Sequence, residues 1–221
     1  MKEFIYSRNA VYETLRAKRR EVFKIELADN VQIKGKLADV MTLVAQRKIQ
    51  VVKAKRPQLD KIHENNQGIV AEVGQYPYAD LLDILESARK KNEPPFILLL
   101  DSLNDPQNFG TLIRTAEATG VHGIVIPLAH TVEVTPSVVN ASSGASEHLL
   151  IAQSNLSQAI DSLKEAETWI VGLDQHGVQM EAGSRHLRGA LGLVVGSEGE
   201  GLRELTRKKC DIVLKLPMRG E

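Results

Sequence analysis

The hydrophobic and polar positions of the first 76 residues alternate between two periods. Apolar side chains three or four residues apart indicate helices, and apolar side chains at every second position indicate strands. Residues 65–68 form a polar cluster that is typical of a turn. The pattern predicts a small αβαβ unit ending near Tyr76, with helices over residues 9–18 and 36–46 and strands over residues 22–28, 49–53 and 69–73.

Beyond residue 95 the apolar segments become more continuous. Near-continuous apolar strands separated by helices are typical of a parallel sheet covered on both faces, so we expect an α/β fold with a mostly parallel sheet in this part. The predicted strands cover residues 96–100, 123–127, 149–153, 169–174, 191–195 and 212–216, and the predicted helices cover residues 111–119, 155–165 and 202–209.

A charged segment separates these two patterns. Residues 79–91 predict a helix, and Pro94 with Pro95 then ends any helical continuation. We therefore predict a first domain over residues 1–76, a linker with a helix over residues 77–95, and a second domain over residues 96–221.

Charge is distributed unevenly, although the formal net charge is zero. Residues 1–61 contain fifteen Lys or Arg and seven Asp or Glu, a net +8, and residues 62–221 carry a net −8. Two interpretations stay open: ordinary solvated helix ends and turns, or a module that binds a polyanion. The basic residues cluster as Arg16, Lys18, Arg19 and Arg20, as Arg47 and Lys48, and as Lys53, Lys55 and Arg56.

The composition excludes several classes of protein. The longest strongly apolar stretch, residues 96–100, is far shorter than the ~20 residues of a membrane-spanning helix, and the N-terminus has no apolar signal-peptide core. The single Cys210 cannot form an internal disulfide, so we expect a cytoplasmic protein. No phosphate-binding loop, dinucleotide-binding glycine pattern or nucleophile elbow is present, and the six histidines lack metal-ligand spacing, so no metal site is expected.

The segment 101–114 follows an apolar strand and enters a helix. Asp105 can cap that helix with Pro106 at its first position, which leaves Asn108 and Arg114 unexplained. These two residues are six apart and do not share a helix face, so both reach one ligand only if Asn108 belongs to the loop. A charge such as Arg114 on an otherwise apolar helix usually has a partner or a function.

Two further strand ends carry polar loops. The segment 193–202 passes through three glycines into a helix, where one or two glycines are enough for a tight turn, so the third suggests backbone packed against a small molecule. Glu198 in this loop is a candidate partner for Arg114. The segment 213–221 is another strand followed by a polar loop. Three adjacent strand-end loops predict one ligand-binding cleft.

Together these segments resemble the SpoU branch of the SPOUT RNA methyltransferases, over essentially the whole chain. Three segments resemble the family's catalytic motifs: residues 108–116 (NFGTLIRTA) the first, residues 194–201 (VVGSEGEG) the second, and residues 216–220 (LPMRG) the start of the third. Residues 142–147 (SSGASE) resemble a segment that the family carries between the first two motifs. Near the N-terminus, residues 7–13 (SRNAVYE) and 66–71 (NQGIVA) resemble a ribosomal-protein-like substrate-binding domain.

The resemblance implies a trefoil-knotted catalytic domain that moves a methyl group from S-adenosylmethionine to a ribose 2′-hydroxyl. The nearest subgroup methylates a guanosine in large-subunit ribosomal RNA. Arg114 is implied to promote loss of the hydroxyl proton, either as a base or as a cation that stabilises the developing alkoxide, with Glu198 orienting Arg114 and Asn108 bonding near the ribose. The implied cofactor-binding residues are Gly196, Glu198, Gly199, Leu216, Pro217 and Met218.

The resemblance also implies RNA as the partner, a homodimer formed through the catalytic domain, and neither membrane nor metal. Arg114 aside, the residues expected to bind RNA are Arg8, Asn9, Arg16, Arg19, Arg20, Gln67 and Ser143.

Two departures from the family pattern affect these expectations. Ser7 stands where the family usually has glycine. The third motif stops at Glu221, before the Ser/Asn stretch and helix that complete the family's pocket and knot. We therefore expect the 221 residues to bind S-adenosylmethionine poorly or not at all, and a longer chain that carries this stretch to recover binding. Two alternatives remain: a transfer-RNA ribose methyltransferase, or a non-catalytic RNA-binding or ribosome-assembly protein that retains the fold. A nucleotide-binding oxidoreductase does not fit the glycine spacing.

Overall fold

The computed structural model describes residues 2–180, 187–197 and 199–217. In chain order, its elements are β1 (Glu3–Tyr6), α1 (Arg8–Ala17), β2 (Val22–Ala28), α2 (Lys36–Gln46), β3 (Gln50–Ala54), α3 (Arg56–Asp60), β4 (Ile69–Val73), α4 (Leu81–Lys91), β5 (Phe96–Leu100), α5 (Pro106–Ala118), β6 (Gly123–Ile126), α6 (Pro136–Ala141), a 3₁₀ turn (Ala145–Glu147), β7 (Leu150–Gln153), α7 (Leu156–Glu165), β8 (Trp169–Gln179), β9 (Leu191–Val195), α8 (Glu204–Lys209) and β10 (Ile212–Lys215).

The chain packs into two compact units, and each is discontinuous in sequence. The first unit combines Met1–Pro77 with Pro106–Arg114 and Glu133–His148, and the second unit combines Tyr78–Asp105, Thr115–Val132 and Leu149–Glu221. The boundaries predicted from the sequence follow chain order and therefore assign residues 106–114 and 133–148 differently. Those boundaries stay a prediction about the domains.

The first unit contains a four-stranded mixed sheet in the order β1-β4-β2-β3. The central strand β4 pairs antiparallel with β1 and β2, and every residue of β4 is buried, as expected for a strand covered on both faces. Strand β1 was missed from the sequence because it is four residues long and one of its side chains, Phe4, is exposed. Tyr6, Leu59 and Val70 pack in the core of this unit.

The second unit contains, within the described residues, a six-stranded sheet in the order β10-β8-β9-β5-β6-β7. All its pairings are parallel, which confirms the predicted α/β class with a mostly parallel sheet. The carboxyl ends of the strands therefore lie at one edge. Strand β8 stands between β9 and β10, so the expectation of three adjacent strand-end loops is wrong: only the loops after β5 and β9 follow neighbouring strands.

The predicted and observed limits of the helices and strands agree best where the apolar pattern of the sequence is clear. Helix α2 and the strands β2, β4, β5 and β9 have the predicted limits. Helix α5 begins at Pro106 rather than at residue 111, since proline is well tolerated in the first turn and the polar residues after it are compatible with helix. Among the described residues, no helix combines the length and apolarity needed to cross a membrane.

Candidate functional site

Helix α5 carries two of the predicted catalytic residues. Asn108 and Arg114 are both exposed on it, while Phe109 and Ile113 are fully buried and anchor the opposite side. Six residues of α-helix place two side chains roughly 120° apart around the axis. Asn108 lies in the helix and not in the preceding loop, so the loop placement considered from the sequence is wrong. That both residues reach one ligand stays a prediction.

The first turns of α5 are held tightly within the first unit. A Cβ atom added at Gly110 would lie 2.4 Å from the Cβ of Ala141 and 2.9 Å from the backbone nitrogen of Ser142. This distance is too short for any side chain, so glycine at position 110 lets α5 contact the end of α6 directly. The glycine of the first motif is therefore explained by packing. The roles of Asn108 and Arg114 stay a prediction.

Arg20 does not lie where an RNA-binding cation is expected. Its guanidinium is fully buried, with Nη1 2.5 Å from Oε2 of Glu3 and Nε 3.1 Å from Oε2 of Glu147. Nη2 lies 2.9 Å from Oε1 of Glu147, an ion contact without hydrogen-bond alignment. The guanidinium also stands 4.8 Å from the ring centre of Tyr76. A phosphate cannot reach this group, so the assignment of Arg20 to RNA binding is corrected.

The pKa values of Glu147 and of the neighbouring Tyr76 are both raised. Burial raises the pKa of Glu147 above its ordinary value, and the Arg20 guanidinium opposes that shift. Burial likewise raises the pKa of Tyr76 to about 12. The Tyr76 hydroxyl donates a hydrogen bond to the carbonyl of Ser146 at 2.8 Å. These contacts fix the turn between α6 and β7, where Ser143 is half-buried.

The remaining predicted RNA contacts differ in exposure. Arg19 is half-buried and donates to the carbonyl of Pro77 at 2.9 Å. Arg16 is exposed and pairs with Glu13 at 3.2 Å, and Asn9 is exposed. Within the first unit, these side chains are positioned by α1 and by the strand that follows it.

The structure brings Arg8 and Gln67 together. The backbone N–H of Arg8 donates to Oε1 of Gln67 at 3.1 Å, and Nε of Arg8 donates to the Gln67 carbonyl at 3.3 Å. They border a concave surface of about 600 Å³ in the first unit. Its other lining residues, which include a cation of the third basic cluster, are Asn30, Val31, Gln32 and Arg56. Among these four, the sequence marked only Arg56, as a member of a basic cluster. Nothing in the sequence marked the amides Asn30 and Gln32 as candidates.

The glycine loop, residues 196–202, follows β9 in the second unit. A Cβ atom at Gly196 would lie 2.1 Å from the backbone of Gly201, and Gly199 and Gly201 have φ angles of +91° and +69°. Close approach and positive φ thus account for all three glycines without a ligand. The glycines alone therefore do not require a ligand, and the expectation that the loop packs against a small molecule stays a prediction.

A cavity nevertheless lies beside the glycine loop. It measures about 360 Å³, within the usual size range of small-molecule sites, and lies between the middle of β8 and the carboxyl end of β9. Gly196 and Gly199 line it, and a Cβ atom at Gly199 would meet nothing within 4 Å. Backbone is therefore accessible along this wall. Of the other predicted cofactor residues, Leu216 and Pro217 are exposed and do not line the cavity, and Glu198 and Met218 lie outside the described residues.

Asp174 supplies an ionised group to the same cavity. Its Oδ1 accepts a hydrogen bond from the backbone N–H of His176 at 2.8 Å, and this bond, with the N–H of Leu202 and the guanidinium of Arg207, holds the pKa of Asp174 below its ordinary value. An acceptor in such a pocket suits hydroxyl or amino groups of a ligand. Asp174 was missed from the sequence because it lies inside a strand and belongs to no motif.

Other chemistry is not supported within the described residues. Burial raises the pKa of Cys210 to about 11, so its thiol is a poor nucleophile at neutral pH. No group of three or more His, Cys, Asp or Glu side chains in this described part is arranged to hold a metal ion.

Comparisons with known proteins identify relatives of both parts of the chain. A family model described as the SpoU rRNA Methylase family matches residues 95–221, and a model described as RNA 2′-O ribose methyltransferase substrate binding matches residues 4–79. A Bacillus subtilis protein assigned by name to the TrmH family of tRNA/rRNA methyltransferases is 40% identical over 99% of this chain and 88% of its own length. A Staphylococcus saprophyticus relative with the same family name is 33% identical over 98% of this chain and 86% of its own length.

Solved structures share the fold. The SpoU methyltransferase AviRb from Streptomyces viridochromogenes, crystallised with AdoMet, aligns with a TM-score of 0.81 at 21% identity, covering 100% of this chain and 82% of that one. An rRNA methyltransferase from Sinorhizobium meliloti, also with bound AdoMet, aligns with a TM-score of 0.78 at 21% identity, covering 100% of this chain and 80% of that one.

Proposed function

Since the chain belongs to the SpoU rRNA methylase family of RNA methyltransferases, we propose that it transfers a methyl group from S-adenosylmethionine to a ribose 2′-hydroxyl in RNA. One observation carries the proposal: a methylase match and a match to a substrate-binding domain of 2′-O ribose methyltransferases occur together in one chain. The combination favours an enzyme over a non-catalytic RNA-binding protein. It also favours ribose over base as the methylated group.

The second unit is proposed to bind the cofactor. S-adenosylmethionine supplies a methyl group on a positively charged sulfur, which is activated for transfer. The cavity beside the glycine loop supports this proposal because Gly196, Gly199 and the carboxylate of Asp174 belong to its lining, and the backbone at Gly199 has open space beside it. Leu216, Pro217, Met218 and Glu198 are carried over from the family motifs.

Arg114 is proposed to act on the hydroxyl that receives the methyl group. In this reaction the ribose O–H bond breaks, an O–CH₃ bond forms, and the bond from methyl carbon to sulfur breaks, with the proton released to water. A guanidinium normally stays protonated, so we assign Arg114 the electrostatic role of stabilising the developing alkoxide rather than the role of base. Asn108 is proposed to bond near the ribose, and Glu198 to orient Arg114.

The first unit is proposed to hold the RNA. The concave surface bordered by Arg8, Arg56 and Gln67 presents cations and amides, which suit phosphates and base edges.

We propose a guanosine of large-subunit ribosomal RNA as the target. A homodimer formed through the second domain is also proposed, and sedimentation equilibrium tests it.

Mass spectrometry of nucleosides tests the function directly. The chain is incubated with S-adenosylmethionine and either ribosomal RNA or transfer RNA from cells that lack the protein, and the RNA is then digested. We expect 2′-O-methylguanosine to appear in the ribosomal RNA. A ribose-methylated nucleoside in transfer RNA alone corrects the target, and a base-methylated nucleoside contradicts the ribose assignment. No transfer to either RNA, by this chain or by a longer one that completes the third motif, contradicts the proposed function.

A further inference from the structure

Asp101 is a buried carboxylate to which neither the family motifs nor the mechanism assigns a role. It directly follows β5, and its side chain is fully buried. Two groups of one residue donate to it: the backbone N–H of Arg203 to Oδ2 at 3.0 Å and Nε of Arg203 to Oδ1 at 2.5 Å. The Ser102 hydroxyl adds a longer bond of 3.3 Å.

The backbone of Asp101 is tied to the other end of the same loop. Its N–H donates to the carbonyl of Val195 at 2.8 Å, at the end of the pairing between β5 and β9. Val195 immediately precedes the glycine loop, and Arg203 immediately follows it. One residue therefore fixes the entrance of the loop through its backbone and the exit through its carboxylate.

The carboxylate of Asp101 also accepts a hydrogen bond at the N-terminus of α8. Arg203 is the residue that caps α8, and its own side chain makes no capping bond, so the carboxylate of Asp101 accepts an N–H that the helix leaves open. Burying a carboxylate is costly unless it is paired and hydrogen-bonded, and here both conditions are met.

We propose that Asp101 is a positioning residue for the cofactor: with Arg203, it holds the glycine loop in the conformation that binds S-adenosylmethionine. A loop that is already ordered loses less entropy on binding, so the pair raises cofactor affinity without touching the ligand. This inference rests on the proposed function, because it takes the cavity beside the glycine loop to be the cofactor site.

Isothermal titration of S-adenosylmethionine and S-adenosylhomocysteine into the full chain tests the pair. Asp101→Asn removes the charge while keeping the size, and we expect the Kd for both compounds to rise about tenfold, the scale set by losing a charge-assisted hydrogen bond. The KM for S-adenosylmethionine is expected to rise likewise, while the Kd for RNA stays unchanged. Asp161→Asn, which alters an exposed aspartate paired with Lys209 in the same unit, is the matched control and keeps the wild-type Kd.

If Asp101→Asn does not fold, the same ion pair can be tested from its other partner, Arg203, whose side chain is half-exposed. Arg203→Met removes the same ion pair and is expected to weaken cofactor binding to a similar extent. Arg203→Lys restores a cation and is expected to recover most of the affinity. Wild-type Kd values in Asp101→Asn and Arg203→Met overturn the inference, even when the melting temperature falls. If neither the wild-type chain nor a longer one that completes the third motif binds the cofactor or transfers methyl groups, the proposed function and this inference are overturned together.

Discussion

The two units each contain a buried carboxylate paired with an arginine, and the surroundings of the two pairs differ. In the first unit, Arg20 and Glu147 are both fully buried, and we call them the inner pair. In the second unit, Asp101 is fully buried while the side chain of Arg203 is 51% exposed, and we call them the edge pair. The inner pair connects a residue just before the start of β2 to the 3₁₀ turn before β7. The edge pair connects the end of β5 to the residue after the glycine loop, at the carboxyl edge of a parallel sheet.

The two pairs have the same chemistry and differ in the burial of the cation, which is 0% exposed in the inner pair and 51% exposed in the edge pair. Removing one member of a sealed pair leaves an uncompensated charge in the interior, so the inner pair contributes mainly to folding. The edge pair has one partner in contact with water. We therefore expect its loss to change the loop beside the cavity more than it changes the fold.

The largest expected effect is on the inner pair. Arg20→Met leaves Glu147 buried without its cation and is expected to lower the free energy of unfolding by about 3–5 kcal/mol. Urea unfolding measures this loss. Arg16→Met, at an exposed position on the neighbouring helix, is the control and should stay within about 0.5 kcal/mol of wild type.

A double substitution sharpens the same prediction. Arg20→Met with Glu147→Leu removes both charges, and apolar replacement of a buried pair is often neutral, so the double variant should recover most of the lost stability. Wild-type stability in Arg20→Met alone would contradict the buried pair.

Tyr76, which lies beside Arg20, provides a pH test of the inner region. Its pKa is raised from 10.0 to about 12 in the folded chain by burial. The unfolded chain therefore loses the phenolic proton first, and the stability contribution present below pH 10 disappears as the pH rises towards 12. The loss approaches ~2.7 kcal/mol, at about 1.36 kcal/mol per unit.

Urea unfolding of wild type and Tyr76→Phe at pH 9 and at higher pH separates this effect from lysine titration. The stability difference between the two proteins should shift in favour of Tyr76→Phe as the pH rises above 10. A difference that is constant with pH would mean that the hydroxyl is not buried in solution.

The exposed cations of the first unit should behave unlike Arg20 in RNA binding. Replacing Arg8 and Arg56 together by alanine should reduce the slope of log K against log salt by about 1.4–1.8, since each phosphate contact contributes roughly 0.7–0.9. Filter binding at several salt concentrations measures the slope. Arg89→Ala, exposed on α4, is the control, and an unchanged slope in the Arg8/Arg56 variant would show that this surface does not contact phosphates.

Much of the fold was predictable because it follows local periodicity. Strands β5 and β9 are short apolar runs with clear limits, and α2 has a clear apolar stripe. Strand β1 lacked such a pattern, and the order that places β8 between β9 and β10 is a long-range property that no local segment encodes.

The candidate site was predictable only in part. Sequence motifs marked α5 and the glycine loop, but charge alone could not show that Arg20 is buried, since its neighbours Arg16 and Lys18 are exposed. The contact between Asp101 and Arg203 could not be predicted because the two residues are about a hundred positions apart in the chain, and Asp174 belongs to no motif. The role of Arg114 is still a prediction from the family motif.

Methyl transfer by Arg114→Ala tests the central claim most directly. The account predicts that transfer to the 2′-hydroxyl falls by at least about 10²-fold, the usual cost of removing one group that stabilises transition-state charge. Affinities for RNA and S-adenosylmethionine should stay within a few-fold of wild type, because other residues are proposed to bind both. Near-wild-type turnover in Arg114→Ala would contradict the assignment of catalysis to this residue.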